Sequence, residues 1–204
     1  MSLFIPSYFA PICQFGMIYQ SDNIVFEVHD NFQKQTYRNR CYIYGANGKQ
    51  LLNIPISHSK NRLKTKTRDV KIEDGSSWQK QHYKSLKSAY NSSPFFEFYE
   101  DDLMALFDKN HRFLLDLNLD TFEFINDALE LHLNYTKPQE YHDSVDHDYR
   151  ILTNPKVNIN YLSNSYTQVF DDKYGHIENL SILDLLFMEG PNSISFLENV
   201  SITL

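Results

Sequence analysis

The fold is decided by residues 3–28, which read LFIPSYFAPICQFGMIYQSDNIVFEV. An apolar run, residues 3–5, ends at Pro6, and a β-branched run, residues 24–28, follows polar residues; both patterns are typical of strands. Residues 11–19 lie between the two runs and predict a short helix. Strands that are joined through a helix pair in parallel, so this stretch predicts the first unit of an α/β fold with a parallel sheet.

A β-hairpin is predicted after this unit. Residues 41–44 and 51–56 read as strands, and Asn47-Gly48 between them tolerates the positive φ angles of a tight turn. Gly45 and Gly48 could also belong to a phosphate-binding loop, but such a loop leads into a helix, whereas a strand follows here. We therefore interpret both glycines as turn residues.

Helices are predicted for most of the remaining chain. Four helices are predicted, over residues 76–90, 94–107, 120 to a point before Pro138, and 181–190. Two of them begin with a capping box, formed by Ser76 with Gln79 and by Asp120 with Glu123. Residues 157–162 read as another strand. The predicted fold is α/β, with a small mixed sheet, an N-terminal strand-helix-strand unit, a β-hairpin and a helical C-terminal half.

Length and composition favour one intracellular domain, residues 1–204. The chain has 204 residues, of which 42% are hydrophobic and 22% charged, as in ordinary globular proteins. Its two cysteines, Cys13 and Cys41, are too few for a disulfide framework. The N-terminus lacks the basic part of a signal peptide, and no apolar run approaches the roughly 20 residues of a spanning helix. We expect a cytoplasmic protein that does not enter a membrane.

The formal charge of -7 is unevenly distributed. Residues 31–90 carry 13 Lys or Arg and three acids, 13 - 3 = +10, and the remainder carries 6 - 23 = -17. One predicted loop contains Lys60, Arg62, Lys64, Lys66, Arg68 and Lys71. The loop could concentrate an anionic small molecule, or it could be a solvated segment that meets the acidic helices. Nucleic acid is disfavoured as a partner, because the whole protein is acidic and the phosphate backbone requires a broad positive face.

The densest polar segment, residues 29–40, directly follows the second predicted strand. Ligands of open α/β sheets bind outside the carboxyl ends of strands, so we expect a site here. His29 and Asp30 would supply an imidazole and a carboxylate for acid–base catalysis. Lys34, Arg38 and Arg40 would bind an anion. In the alternative interpretation, Asp30 and Arg40 pair with each other and have a purely structural role.

His82 is a second candidate, since it shares a helix face with Trp78 and precedes Tyr90 on the same helix. Burial and a hydrogen-bonded partner could make it a general base, or it could be an ordinary core histidine. Residues 142–148 contain imidazoles and carboxylates at short spacing. They lack the helix that fixes an HExxH site, so we interpret them as a solvated loop and predict neither a metal nor a cofactor.

Several ordered blocks together resemble the WbqC-like family and cover most of the chain. They are Pro6 to Pro11; Phe32-Gln33-Lys34 through Tyr37-Arg38-Asn39-Arg40; Leu51 to Ile56; Trp78 to His82, continuing through Tyr90 to Phe96; and Ser181 to Phe187. By matching positions, the family's polar signature would be Gln33, Asn39, Arg40, Trp78 and His82. In longer relatives a Tyr-Leu-Ser-Gly block precedes a helix and a strand, whereas here Tyr161-Leu162-Ser163-Asn164 runs almost at once into Tyr166-Thr167-Gln168.

The resemblance implies a bacterial protein associated with O-antigen or other surface-polysaccharide synthesis, with transfer of an aminoacyl or acyl group to an amino sugar as the working idea. Our leading hypothesis is an enzyme that acts on an anionic, phosphorylated or nucleotide-linked sugar. The alternative is a non-catalytic ligand-binding or scaffold protein of the same pathway. We expect one pocket formed by Gln33, Lys34, Arg38, Asn39, Arg40, Trp78 and His82, with Tyr90 as a further substrate-binding residue. The oligomeric state is left open.

Overall fold

The computed structural model describes residues 1–57, 65–157 and 159–203. The strands are β1 Ser2–Phe4, β2 Ile24–Phe26, β3 Arg40–Gly45, β4 Gly48–Asn53, β5 Tyr135–Thr136, β6 His147–Asp148, β7 Asn160–Leu162 and β8 Ser201–Thr203. The helices are α1 Ile12–Tyr19, α2 Trp78–Tyr90, α3 Phe96–Asp108, α4 Leu114–Ala128, α5 Asp171–Tyr174, α6 Ile182–Glu189 and α7 Ser193–Glu198. The predicted α/β class is confirmed, including the helical C-terminal half.

Four strands form a parallel sheet in the order β5-β2-β1-β6. Leu3 of β1 lies opposite Val25 of β2 on one side and Asp148 of β6 on the other. Because parallel strands need a crossover connection, α1 is what allows β1 and β2 to pair in this way. The strand-helix-strand prediction is therefore confirmed. The two-residue strands β5 and β6 were not predicted.

The two central strands of the sheet, β1 and β2, are largely buried, and aromatic rings cover them. Leu3 and Phe4 of β1 are fully buried. Phe26 of β2 contacts Phe122 of α4 and Tyr135 of β5, with ring centroids 5.2 and 5.0 Å apart. A parallel sheet requires cover on its faces, and the large number of Phe and Tyr residues supplies much of it here.

The hairpin is formed by β3 and β4, and Gly45 pairs with Gly48 across its two-residue turn. Gly48 has a φ angle of 93°, which favours glycine over any residue with a Cβ. The predicted hairpin is confirmed. The positive φ angle lies at Gly48 and not at Asn47.

The predicted beginnings of three helices are displaced. α2 begins at Trp78 after Ser77, and Ser76 instead donates a hydrogen bond to the Glu73 carbonyl. The capping box of Ser76 and Gln79 is therefore wrong. α3 begins at Phe96, two residues beyond Pro94.

The second predicted capping box, Asp120 with Glu123, is also wrong. α4 begins at Leu114, so Asp120 lies well inside the helix. Its carboxylate accepts hydrogen bonds from Lys109 and His111, each at 3.0 Å. Asp120 therefore joins α4 to the segment after α3.

The segment before α6 packs against the N-terminal strand-helix-strand unit and the hairpin. Ser181 caps α6 by accepting a hydrogen bond from the Leu183 N–H, as predicted. The Ile12 N–H donates to the Leu180 carbonyl at 2.9 Å, and the Ser181 N–H donates to the Tyr42 carbonyl at 2.8 Å. The segment before α6 thus lies between the N-terminal unit and the hairpin. Among the described helices, none combines the length and the apolarity that crossing a bilayer requires.

Candidate functional site

A pocket of about 690 Å³ opens where the strands of the parallel sheet end. Ile5 follows β1, Asp30 lies four residues after β2, Tyr141 lies five residues after β5, and Arg150 lies two residues after β6; all four residues line the pocket. Open α/β sheets bind ligands at this edge, because the strand ends splay into loops there. The pocket is therefore our candidate site.

The pocket is polar with a cationic excess. Arg38, Lys66 and Arg150 are its three cations and Asp30 its one carboxylate among the described lining residues, a formal balance of +2 that becomes +1 when Asp148, which pairs with Arg150 behind the wall, is counted. The remaining lining residues are Asn31, Gln33, Thr153 and Asn154, together with the apolar and aromatic side chains of Ile5, Phe32, Tyr141, Ile151 and Val157.

Asp30 and Arg38 form a buried ion pair in the pocket wall. Arg38 Nη2 donates to Asp30 Oδ2 at 2.5 Å, and the side chains of Arg38 and Asp30 are only 5% and 9% exposed. Arg38 Nη1 also donates to Thr36 Oγ1 at 3.2 Å. The structural interpretation in which Asp30 pairs with Arg40 is wrong, because the guanidinium that reaches Asp30 is that of Arg38.

Arg150 is a second fixed guanidinium in the pocket, and the sequence did not single it out. Its Nε and Nη2 donate to the two carboxylate oxygens of Asp148 at 2.9 and 2.6 Å. Its Nη1 donates to the His142 carbonyl at 2.7 Å. These hydrogen bonds lower the pKa of Asp148 and raise that of Arg150. The available signal is an Arg two residues after Asp148, the last residue of the segment 142–148 that reads as a solvated loop.

A buried carboxylate holds the loop that carries Tyr141. Glu27 is fully buried and accepts hydrogen bonds from the N–H groups of His29 at 2.7 Å and His142 at 3.1 Å. The chain after β2 is thereby fixed to the chain after β5. Glu27 was another residue that the sequence analysis did not identify.

His29 lies beside the pocket but does not appear among the described residues that line it. Its Nε2 is 2.9 Å from the Pro138 carbonyl, which only accepts, so Nε2 carries the proton. Nδ1 then accepts from Arg68 Nη1 at 3.0 Å. Both ring nitrogens are therefore engaged, and His29 connects two loops.

His82 lies in a separate, buried polar cluster. Its Nε2 donates to the Asn53 carbonyl at 3.2 Å, so Nδ1 is unprotonated and accepts from the Tyr8 hydroxyl at 2.9 Å. His82 is 4% exposed. Burial lowers the pKa of His82 to about 4, and the hydrogen bond to Asn53 opposes part of this change. Trp78, also 4% exposed, packs on the imidazole with ring centroids 5.1 Å apart.

Asn39 and Arg40 lie next to the His82 cluster. Asn39 Nδ2 donates to Asn53 Oδ1 at 3.2 Å and to the Ile54 carbonyl at 3.0 Å. Arg40 pairs with Asn53 in the β3–β4 ladder. Asn53 therefore links Asn39, Arg40 and His82.

The seven residues expected in one pocket are thus divided among three places, namely the pocket, the buried cluster and the surface. Gln33 and Arg38 line the described pocket, whereas Lys34, Asn39, Arg40, Trp78 and His82 are not among its described lining residues. Lys34 is exposed, and the other four surround or adjoin the buried cluster. The chain turns at residues 37 and 38, just before β3. Arg38 therefore faces the pocket, whereas Asn39 faces the hairpin.

Tyr90 belongs to a third buried network. Its hydroxyl donates to Asp184 Oδ1 at 2.5 Å and accepts from the Tyr44 N–H at 3.0 Å. Tyr166 and Gln168 donate to Asp184 Oδ2 at 2.6 and 3.1 Å. Burial raises the pKa of Asp184, and burial together with the neighbouring carboxylate raises the pKa of Tyr90. Tyr166 and Gln168 come from the segment that departs from the family pattern, so this segment is anchored on α6.

The basic loop is described in part. Lys66 lines the pocket, and the backbone of Lys66 to Lys71 runs beside residues 28–31 and 57 through hydrogen bonds such as that from the Thr67 N–H to the Asp30 carbonyl at 3.0 Å. Lys60, Arg62 and Lys64 lie outside the described residues. In the described ranges, no group of three or more His, Cys, Asp or Glu is arranged to hold a metal ion.

Comparison with protein families finds a match to the model described as WbqC-like protein family, over residues 6–158. Comparisons with curated proteins and with solved structures find no match. The matched range includes all the described lining residues of the pocket except Ile5. Asp184 and the Ser181–Phe187 block lie beyond it. Since the match covers about three quarters of the chain, the chain belongs to the WbqC-like protein family.

Proposed function

We propose that this member of the WbqC-like family binds an anionic, phosphorylated or nucleotide-linked sugar in the pocket at the carboxyl edge of its parallel sheet. The observation that carries the proposal is the fixed Arg150 guanidinium beside Lys66 and Arg38 in a pocket with a cationic excess. We further propose that it is an enzyme of bacterial surface-glycan biosynthesis. It would work in the cytoplasm, where nucleotide-linked sugars are available to such enzymes.

Arg150 is suited to hold the anion. Asp148 and the carbonyls of residues 142 and 143 fix the guanidinium, so little side-chain entropy is lost when a ligand binds. These partners engage four of the five N–H groups of the guanidinium, which leaves one N–H on Nη1 to donate a charge-assisted hydrogen bond to a phosphate oxygen. Lys66 adds a mobile positive charge, and the +10 of residues 31–90 would attract an anion from solution.

The aromatic residues of the pocket are suited to the rest of the ligand. Tyr141 is 44% exposed, and the guanidinium carbon of Arg150 lies 5.1 Å from its ring centroid. Phe32 lines the same pocket. Aromatic faces of this kind pack against sugar rings and nucleobases. An anion held at Arg150 would therefore place an attached ring beside Tyr141.

The proposed reaction is transfer of an aminoacyl or acyl group to the amine of an amino sugar. The amine nitrogen would bond to the acyl carbon, the bond from that carbon to its leaving group would break, and the nitrogen would lose a proton. Asp30 is the described carboxylate in the pocket that could take up this proton. His29 and His82 remain proposed catalytic residues. Each would first have to release one of its present hydrogen-bond partners.

A non-catalytic binding or scaffold protein is the second candidate. The observation that favours it is the commitment of Asp30 to Arg38, since the carboxylate is already engaged in a buried ion pair. Such a protein would present or sequester the same sugar without changing it.

Two measurements test these proposals. Isothermal titration with UDP, UDP-glucose, UDP-galactose and UDP-N-acetylglucosamine should detect binding by the wild type, with at least tenfold weaker binding by Arg150→Ala. The binding proposal is wrong if none of the four UDP compounds binds, or if Arg150→Ala binds them as well as the wild type does. An amino-sugar nucleotide is then incubated with the protein and with aminoacyl or acyl donors, and the products are analysed by mass spectrometry. This measurement separates the enzyme from the scaffold protein. An acylated product supports the enzyme, and binding without any product supports the scaffold.

A further inference from the structure

Three polar atoms of the pocket wall are buried and have no hydrogen-bond partner among the residues that the structure describes. They are Asp30 Oδ1, Arg38 Nε and Thr153 Oγ1. Thr153 is 1% exposed, Arg38 4% and Asp30 8%. A buried polar group without a partner destabilises the folded state, because it loses its hydrogen bonds to water and gains none in return.

The three atoms come from segments that the backbone holds together. The Tyr37 N–H donates to the Thr153 carbonyl at 2.8 Å, which places Thr153 beside the chain that carries Arg38. Arg38 in turn binds Asp30. All three residues line the same pocket, and they are more buried than Arg150, whose side chain is 15% exposed. They therefore form its floor, and Arg150 lies nearer its mouth.

The chemistry of these atoms restricts what can satisfy them. Asp30 Oδ1 only accepts, Arg38 Nε only donates, and the Thr153 hydroxyl does either. Phosphate at neutral pH has oxygens that accept but little capacity to donate to a carboxylate. An ammonium group donates but cannot accept, and Arg38 would repel it. A hydroxyl group both donates and accepts, so one hydroxyl, or two neighbouring hydroxyls on a ring, fits all three atoms.

We propose that the pocket floor is a hydroxyl-binding subsite, formed by Asp30, Arg38 and Thr153, that orients the sugar ring of the ligand inward while its anionic group remains at Arg150 and Lys66. This inference rests on the proposed function and extends it to the orientation of the ligand. A simple anion would occupy only the mouth. The sugar would be selected by a hydroxyl that reaches the floor, and the small movement that uncovers the three atoms would accompany binding.

Three threonines allow a matched test, because valine replaces the hydroxyl with a methyl group of nearly the same shape. Thr153 has an unpartnered hydroxyl in the pocket. Thr67 has an unpartnered hydroxyl and is not among the described lining residues. Thr121 has a partnered one, which donates to the Asn118 carbonyl at 2.8 Å. All three are 1% exposed.

The experiment measures melting temperature and titrates wild type and the three variants with UDP and with the tightest-binding of UDP-glucose, UDP-galactose and UDP-N-acetylglucosamine. Thr153→Val should raise the melting temperature by about 2 to 4 °C, because an unsatisfied group is removed. It should weaken binding of the UDP-sugar about tenfold and leave UDP unaffected. Thr67→Val should raise the melting temperature without changing either affinity. Thr121→Val should lower the melting temperature and also leave both affinities unchanged.

The outcomes separate this inference from the proposed function. If Thr153→Val lowers the melting temperature and leaves UDP-sugar affinity unchanged, its hydroxyl has a structural role, for example through an ordered water, and the subsite is rejected. Equal losses for UDP and the UDP-sugar also reject it, since the floor would then contact the nucleotide that both ligands contain and not the sugar. If the wild type binds UDP as tightly as each UDP-sugar, the subsite is rejected and the proposed anion site is kept. If the wild type binds none of the probes, the proposed function fails and the subsite with it.

Discussion

Arg38 Nη2 donates a hydrogen bond to Asp30 Oδ2 at 2.5 Å, and this pair ties the chain that leaves β2 to the chain that enters β3. Both side chains are almost completely buried. A charge taken out of water is stable only next to its partner. The two residues therefore depend on each other more than either depends on the rest of the pocket.

Removing one partner of this pair should be costly. We expect Asp30→Ala to lower the free energy of unfolding by about 3 to 5 kcal/mol, because Arg38 would remain buried without its counter-charge. Urea denaturation measures the change. Asp69→Ala is the control, since Asp69 pairs with Arg68 at 3.8 Å on the surface, and we expect a change below about 1 kcal/mol. A cost of Asp30→Ala as small as that of the control would show that the pair adds little stability.

Arg150 should matter more for ligand binding than Arg40. Arg150→Lys keeps the charge but loses the hydrogen bonds that fix the side chain to Asp148 and to the loop carbonyls, so we expect affinity for UDP to fall about tenfold or more. Arg40→Lys should leave this affinity unchanged, because Arg40 is not among the described lining residues. Titration calorimetry of both variants with UDP shows which substitution weakens binding more. A larger loss for Arg40→Lys would move the anion to the start of the hairpin, as the sequence analysis expected.

His82 should make stability depend on pH. Its pKa is lowered to about 4 in the folded state, whereas an unfolded histidine titrates near 6.5. The unfolded state therefore binds a proton that the folded state does not bind, and stability is complete above about pH 6.5. As the pH falls from 6.5 to 4, the free energy of unfolding should decrease by up to about 3 kcal/mol.

The matched variant for this prediction is His82→Gln, which has no titrating group. It should be less stable than the wild type at pH 7.5 and should show a smaller loss of stability between pH 6.5 and 4. Asp184 and the other histidines are present in both proteins, so their contributions cancel in the comparison. Equal pH dependence in the two proteins would contradict a lowered pKa of His82.

Tyr90 should contribute to stability and not to ligand binding. Tyr90→Phe leaves Asp184 Oδ1 and the Tyr44 N–H without their partner, and we expect a loss of about 1 to 3 kcal/mol. Tyr83→Phe is the control, because the Tyr83 hydroxyl donates to Glu100 in a less buried position. Melting temperature and UDP-sugar affinity should be measured together. Reduced affinity with an unchanged melting temperature would restore Tyr90 as the substrate-binding residue that the sequence analysis expected.

The parts of the fold that local patterns encode were predictable. The strand-helix-strand unit, the hairpin and α6 each have an apolar period and a clear boundary residue, such as Pro6, Gly48 or Ser181. β5 and β6 have two residues each and are strands only because β2 and β1 lie beside them. A pattern of two residues carries no period, so tertiary contacts decide it.

The errors in the capping boxes have a similar origin. Asp120 and Glu123 have the spacing of a capping box, but the apolar residues Leu114, Leu115 and Leu117 before them already bury one face of the helix. That burial extends α4 toward the N-terminus, and Asp120 becomes an interior residue. Side-chain packing thus outweighs a local capping signal.

The position of the candidate site at the strand ends was predictable, but the full set of residues that line it was not. The rule that ligands bind at strand ends located residues 29–40, and Asp30, Gln33 and Arg38 line the pocket there. Arg150 comes from a segment more than a hundred residues later, and the sheet order that brings it to the pocket depends on β6. Asn39 and Arg40 could not be assigned to the hairpin side, because the chain reversal after Arg38 leaves no pattern in the sequence.

The hydrogen bonds of residues 179–182 to the N-terminal unit and to the hairpin also constrain how the protein is made. Ile12 and Tyr42 obtain these partners only after residues 180 and 181 have left the ribosome. Contacts between residues so distant in the chain raise its contact order and slow folding. During synthesis the N-terminal strands therefore lack this cover until the last part of the chain emerges, and the nascent chain exposes more apolar surface than the folded protein.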